Sequence, residues 1–499
     1  MSRVMWALVV CAVVAAGFVY DDLGDIGGDS AQYILLARSL VDGQGYRSLN
    51  EPGAPPHTYY PPAFPLLLTP IVALGGVNYW WMHLMIAGLG VLALGWWAVY
   101  LREHALPAAQ IACALVMVGL SPLWCSGLAR ILSDIPYTAV LCGTLLASHR
   151  CARSTTAFGV WFWLTAVGAA ALMLTRTIGA AAVLAIVCTW ISVRQSHRSP
   201  HRWRRSIGLL LVAGVVIGAW GWRNHLAGSA SPSYLAQLLM QDPYDPSRGS
   251  VDAVSFVHRL IANGGFYARS MAQSSSFVAL WVPAVRWWVG LAMGVLLGAG
   301  CWSRWRTRGV AEWYVIWHML VVLCWPDAYQ DERFLLPLAP MVAWYLVQGW
   351  LVVAPLVRRR VAAAVGLIVA VLLLGGNALG AAWLVTVYQR GAYYGSYERA
   401  FIAAQRWLGE HAAPDAVIVS RKPTVTALLA GRQAIVYPFS RDAGRFREML
   451  DRYGIDYVVD DGFISGRESY LVPAIRAHLD RFEEEMQVFG PCRVLTVRK

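Results

Sequence analysis

Asp21-Asp22-Leu-Gly-Asp25-Ile-Gly-Gly-Asp29-Ser-Ala-Gln-Tyr33 opens the stretch that decides how this chain is read, and Tyr59-Tyr60-Pro61-Pro62-Ala-Phe-Pro65 closes it. Four aspartates fall within nine residues, directly after an apolar run, Val4–Tyr20. Carboxylates at a membrane edge are costly to bury unpaired, so a cluster of them there points to work on something lipid-linked. The run Val4–Tyr20 has a signal-peptide-like core behind Arg3, but no small-x-small cleavage site beside a polar stretch. It therefore reads as a retained first helix.

Working outward, the chain is mostly oil. Its 499 residues are 58% hydrophobic and only 14% charged, far from soluble-domain composition. Apolar segments fall at about 4–20, 61–76, 79–100, 107–124, 133–149, 157–174, 177–193, 206–224, 278–300, 311–326, 333–353 and 361–388. This is the pattern of a polytopic α-helical membrane protein. The formal charge of +12 would point a soluble protein toward nucleic acid. Here the arginines sit in short loops between apolar segments, so they set topology and no nucleic-acid partner is expected. Only two lysines occur, Lys422 and Lys499, a bias that reads as genome composition. Most of the nine cysteines lie in apolar runs as small hydrophobes, with no metal or disulfide spacing.

The basic loops are Arg102; Arg150 with Arg153; 194–205; Arg304, Arg306 and Arg308; and Arg358-Arg359-Arg360. They alternate with neutral or acidic loops, and the positive-inside rule puts them in the cytoplasm. With Arg3 inside, the aspartate loop lies outside. Counting 61–76 as a crossing would put every basic loop outside as well. Counting it as an interfacial helix, which suits its short length and its Pro65 and Pro70, restores agreement. The expectation is about eleven spans, N-terminus cytoplasmic, in the inner (cytoplasmic) membrane. It places 1–388 in a membrane domain, with a first outer loop 21–78 carrying interfacial helices and an outer loop 225–277. The tail 389–499 alternates predicted helices and strands: Glu398–Glu410, Ala416–Ser420, Pro423–Ala430, Ala434–Tyr437, Asp442–Tyr453, Tyr457–Asp460 and Arg493–Val497. That predicts a small extracytoplasmic α/β domain. It carries no phosphate-binding glycine loop.

Asp29–Leu40 has apolar residues at helical spacing and is stopped by Gly43 and Gly45, which predicts a helix lying flat on the outer leaflet. Asp29 reads either as its N-cap, with Gln32 completing a box, or as a carboxylate poised to take a proton from a hydroxyl. Ser133-Asp134 with Pro136 also makes a good helix start. Arg130, Arg176, Arg223 and Arg333 are all predicted at outer ends of spans, against the bias of the other arginines. Each can be a snorkelling end-cap or an ion-pair partner, Asp331 and Glu332 being available to Arg333; four on one face favour one or two of them binding phosphate, which guanidinium matches bidentately. Asp21, Asp22 and Asp25 form either a solvated acidic loop or a divalent-cation site. On the first of these readings no cofactor is expected.

Several motifs in order resemble the GT-C glycosyltransferases. They are Asp29-x-x-x-Tyr33 opening an Ala-Arg-x-Leu helix, Gly43-x-Gly45-Tyr46, Tyr60-Pro-Pro-x-x-Pro-Leu66, Ser133-Asp134-Ile-Pro136-Tyr137, Leu174-Thr-Arg176-Thr-Ile-Gly179, Trp222-Arg223-Asn224 and Arg333-Phe-Leu-Leu-Pro337. The resemblance is to the branch that includes the RgtA/B/C/D-like sugar transferases, the aminoarabinose transferase of lipid A and the protein O-mannosyltransferases. It covers about residues 1–350 well and the tail loosely. It implies transfer of a sugar from a polyprenyl-phosphate carrier to a hydroxyl acceptor on a glycolipid, polysaccharide or protein, outside the membrane and with inversion. It implies Asp29 as the family's outer-loop aspartate and Asp134 in the place of a second acidic residue. Tyr33, Tyr59 and Tyr60 fall in its substrate-binding motifs. Part of the family has a lysine before the paired prolines; this chain has Tyr60, with His57 as the nearby substitute. The competing functions are a transporter or flippase of lipid-linked glycans, which would place ionisable residues mid-span, and a non-enzymatic membrane scaffold.

Overall fold

The computed structural model describes residues 2–192, 201–228, 234–243, 249–305, 308–356, 371–462 and 466–498, with 358, 360, 364 and 366 between them. Parts of the expected basic loops (194–200, Arg306, Arg359), of the outer loop 225–277 and of the apolar segment 361–388 lie outside the described residues. The chain forms two compact units. One comprises Met1–Tyr20, Thr58–Phe64 and Trp80–Gln389; the other comprises Asp21–His57, Pro65–Tyr79 and Arg390–Lys499.

Among the described residues, the first unit is built of helices. Tyr79–Glu103, Arg202–Leu226, Pro283–Arg304 and Glu332–Leu356 are each long and apolar enough to cross a membrane. The apolar run expected at 107–124 is a broken pair, Ala108–Gly119 and Pro122–Leu128, bent by 61°. Its cause is local: Pro122 cannot continue a helix, and Ser121 caps the second piece by accepting the Trp124 N–H. Shorter helices fill the remaining apolar segments, among them Asp134–Arg153, Val160–Thr175, Gly179–Ile191 and Val310–Cys324. Helix Pro283–Arg304 crosses helix Ala339–Val353 at backbone distance. A Cβ at Gly300 would fall on the Tyr345 carbonyl oxygen, and one at Gly349 on that of Leu296. Small residues permit such contact where lipid supplies no hydrophobic drive.

Basic residues expected to mark loops also hold the packing. Arg205, 1% exposed, donates to the carbonyls of Cys151 (2.7 Å), Ser154 (2.9 Å), Thr156 (2.5 Å) and Ala157 (3.2 Å), closing the end of helix Asp134–Arg153. Arg150 pairs with Glu103 at 2.6 Å, and Arg304 with Glu312 at 3.0 Å.

The second unit is built on a mixed sheet of β1 (Val417–Val419), β2 (Gln433–Ile435), β3 (Tyr457–Asp460), β4 (Phe482–Phe489) and β5 (Cys492–Val497), in the order β2-β1-β3-β5-β4. β1 is parallel to β2 and β3, while β5 runs antiparallel to β3 and β4. Helices Pro423–Ala430 and Ala443–Tyr453 make the crossovers, and Val419, Phe446, Leu450, Val458 and Leu495 meet in its core. Predicted and observed elements coincide at Pro423–Ala430 and Tyr457–Asp460. β4 was not expected, because Phe482-Glu-Glu-Glu-Met486 lacks the apolar alternation of a half-buried strand; it is the sheet's outer strand. The opposite edge, β2, is met by the first loop, where the Ala434 N–H donates to the Asn50 carbonyl at 2.6 Å.

Candidate active site

In the helical unit, Ser133 precedes the helix Asp134–Arg153, and Asp134 is its first residue, only 2% exposed. Pro136 fits that first turn, where its missing N–H costs nothing. Helix Val160–Thr175 ends at Arg176, whose extended backbone turns the guanidinium onto the Asp134 carboxylate as an ion pair. Asp134 Oδ2 has no hydrogen-bond partner among the described residues. Arg176 also stands over the Phe334 ring, 5.7 Å from its centroid, and Arg333 stands 5.8 Å from the same centroid. Arg333 Nε lies 3.0 Å from Asp331 Oδ2, without hydrogen-bond geometry. Arg176 and Arg333 thereby meet at the Phe334 ring, with Asp134 paired to Arg176. Arg130, half-buried, sits four residues ahead of Asp134 on the short connection that leads into the same helix.

The carbonyl of Phe334 is itself held from below. His318 Nε2 meets it at 2.8 Å, His318 Nδ1 meets the Tyr314 hydroxyl at 2.9 Å, and that hydroxyl lies 3.2 Å from the Tyr137 hydroxyl. All three side chains are buried, so the chain is a satisfied polar network fixing the arginine segment to the start of the Asp134 helix. Sequence reasoning passed over Tyr314 and His318, and met Phe334 only inside the motif Arg333–Pro337. The available signal was a histidine inside an apolar run, which in a membrane span calls for a partner.

A second group gathers around Tyr59. Asn224 donates to the Thr58 carbonyl at 3.0 Å and accepts from Arg223 at 2.9 Å. The Tyr234 hydroxyl donates to the Tyr59 carbonyl at 3.3 Å, with the two rings 5.3 Å apart and Tyr60 edge-on to Tyr59 at 5.0 Å. Tyr59, Tyr60 and Arg223 thus belong to one aromatic and polar cluster. Elsewhere in the unit an apolar cavity is lined by Met117, Val118, Met271, Leu335, Val342 and Leu346, with Ser121, Ser274 and Ser275 as its polar points.

In the other unit, helix Asp29–Val41 begins differently from the capping expectation. Gly28, at φ +107°, is the N-cap, and its carbonyl takes the first helical hydrogen bond from the Gln32 N–H at 2.9 Å. Asp29 is therefore not the cap and forms no capping box; as the first helical residue its carboxylate sits at the positive end of the helix dipole. Nine of the helix's 13 residues are buried, Tyr33 included at 5% exposure. A consecutive apolar run at 34–37 faces all round rather than along one stripe, so this helix packs inside the unit against Pro423–Ala430 instead of presenting a solvated face. His57 is likewise buried, its Nδ1 2.9 Å from the Ser48 hydroxyl and its ring edge-on to Tyr46.

Two of the other aspartates of the loop have protein partners. Asp22 accepts from the Leu23 N–H at 2.5 Å and the Tyr394 hydroxyl at 3.2 Å, and Asp25 from the Gly27 N–H at 2.8 Å. Among the described residues, no three His, Cys, Asp or Glu side chains converge as a metal site. Lys422, set aside as composition, donates to the Gly27 carbonyl at 2.8 Å.

No described protein family matches the sequence, and no curated protein matches it. Solved structures do. The fold is that of the GT-C glycosyltransferases, and the chain is a multi-pass membrane protein. It is similar to the oligosaccharyltransferase AglB of Archaeoglobus fulgidus, solved with an inhibitory peptide and a dolichol-phosphate, at TM-score 0.60 and 10% identity over 92% of this chain and 69% of that one. It is also similar to ArnT of Cupriavidus metallidurans bound to undecaprenyl phosphate, at TM-score 0.56 and 15% identity over 99% of this chain and 97% of that one.

Proposed function

We propose that this protein is a membrane glycosyltransferase that moves a sugar from a polyprenyl-phosphate donor to a hydroxyl acceptor on the extracytoplasmic face. The acceptor oxygen attacks the anomeric carbon and its proton passes to the Asp29 carboxylate. The bond from that carbon to the phosphate oxygen breaks, with inversion, and the polyprenyl phosphate leaves with the electron pair. Charge grows on the departing phosphate, so fixed cations must stand ready for it, and Arg130, Arg176, Arg223 and Arg333 are the candidates. Asp134 orients Arg176. Tyr33, His57, Tyr59 and Tyr60 belong to the substrate-binding segments.

The observation that carries this reading is the fold shared with ArnT over nearly all of both chains, in a structure that holds undecaprenyl phosphate. It is strengthened by Arg176 and Arg333 standing at one ring, with Asp134 paired to Arg176. The topology belongs to the same proposal: eleven spans in the inner membrane, the 61–76 segment interfacial, the N-terminus cytoplasmic, and 389–499 a soluble domain outside. The acceptor is a glycolipid, polysaccharide or protein hydroxyl.

Mass spectrometry of cell-envelope glycans with and without the gene identifies the product. Wild-type protein restores that product, and Asp29→Asn does not, although its membrane level is unchanged. Restoration by the Asn variant removes Asp29 from the chemistry. Orientation is tested separately by a membrane-impermeant maleimide applied to intact and to permeabilised cells. Gln44→Cys reacts from outside, whereas the exposed native Cys301, beside a basic loop, reacts only after permeabilisation. The reverse pattern overturns the topology.

A further inference from the structure

We propose that Lys422 positions Asp29. Its ammonium and the Thr424 hydroxyl clamp the Gly27-Gly28 turn from which the Asp29 helix starts, making the loop after β1 part of the catalytic apparatus. The inference rests on the reading of Asp29 as the base.

The geometry is a two-point grip. Lys422 Nζ donates to the Gly27 carbonyl at 2.8 Å, and Thr424 Oγ1 donates to the Gly28 carbonyl at 2.9 Å. The Gly28 carbonyl is the one that receives the first helical hydrogen bond, so the grip holds the helix at its origin. Gly28 adopts φ +107°, and a Cβ there would lie 3.3 Å from Thr424 Oγ1. Helix Pro423–Ala430, which carries Thr424, packs along helix Asp29–Val41.

Topology explains why the grip comes from this loop. In the order β2-β1-β3, the chain leaves β1 toward β2 and returns to β3 on the other side. The crevice between the carboxyl ends of β1 and β3 is the switch point, where open α/β sheets receive ligands. Here Ser420-Arg421-Lys422 and Asp460-Asp461 line that point, and the Gly27-Gly28 turn is what Lys422 reaches. The choice of lysine also has a physical reason. Only two lysines stand among 41 Lys and Arg residues, and a compact ammonium suits a single carbonyl where a planar fork does not.

Four charged groups act on Lys422: Arg421 beside it, Asp25 and Asp29 from the first loop, and Asp461 after β3. Burial, then Arg421, pushes its ammonium below the ordinary lysine value, and the three carboxylates pull it back up. The charges of Lys422 and Asp29 are thus linked, and the carboxylate is the form a base must have.

Two experiments on the full-length chain in detergent test this. Reductive dimethylation with 13C-formaldehyde labels Lys422, Lys499 and the α-amino group, and Lys422→Arg identifies the Lys422 signal by its loss. In Asp29→Asn the titration midpoint of that signal falls; an unchanged midpoint overturns the coupling whatever the activity does. In turnover of the envelope product, Lys422→Met loses on the order of 10²-fold, the cost of a misplaced base, and its acid limb moves to higher pH. Lys422→Arg returns the limb to the wild-type position. Thr424→Val slows turnover and leaves the limb in place. A Lys422→Met protein with wild-type rate and limb overturns the inference. If the midpoint falls in Asp29→Asn while that variant still turns over, the base assignment fails and the clamp stands.

Discussion

Two buried aspartates, one in each unit, hold arginine in different ways. Asp460, at the end of the central strand β3, has both oxygens filled. Arg467 binds across them, at 2.8 Å for its Nη2, and Arg493 adds a third contact at 2.5 Å. Burial alone would push the Asp460 carboxyl up, but hydrogen bonds from the two arginines hold it below the usual carboxylate range. Asp134 meets Arg176 through one oxygen, and its other oxygen has no hydrogen-bond partner among the described residues. A saturated carboxylate is a structural rivet. An unsaturated one, tied to a guanidinium that itself stands over an aromatic ring, keeps hydrogen-bonding capacity in reserve at an energetic cost.

The sharpest way to break this comparison is Arg176→Gln. It leaves Asp134 buried opposite a neutral amide, and removing one partner of a buried pair costs about 3–5 kcal/mol. Thermal unfolding in detergent should show that loss alongside lost turnover. Next comes His318→Phe, which strips the Phe334 carbonyl of its partner and should cost about 1–3 kcal/mol. Its effect should not add to that of Arg176→Gln in a double-mutant cycle; independent effects would sever the polar chain from the site. The smallest effect is Arg493→Gln. Arg467 still spans both Asp460 oxygens, and the Arg493 side chain is 40% exposed, so screening leaves about 1 kcal/mol or less. Because folding lowers the Asp460 value, its stabilisation is full above the ordinary carboxylate value of 3.8 and is lost as pH drops through the folded-state value. The gap between wild type and Arg493→Gln, read by hydrogen exchange across β3, should therefore close in acid.

Much of this was legible from residue order. Apolar runs marked the helices of the first unit, and in the tail a proline start and a glycine stop bounded Pro423–Ala430 to the residue. The arginines around Phe334 were named in advance because they stood apart from the basic loops. What the sequence hid depends on partners distant in the chain. Nothing near Asp29 says that Gly28 takes the cap, since that depends on a left-handed turn gripped by residues almost 400 positions away. Nothing near Arg176 says that Phe334 will lie beneath it. Likewise, β4 is recognisable only once β5 is there to pair with it.

One packing detail reaches past chemistry. Gly300 and Gly349 each receive the other helix's backbone, and neither position has room for a methyl group. Greasy side chains cannot tell a neighbouring helix from surrounding lipid, so they give two rods no reason to stop at one depth. Paired notches do, by shape alone. They work as index marks, setting the vertical offset between the rods while the bilayer leaves everything else free to slide.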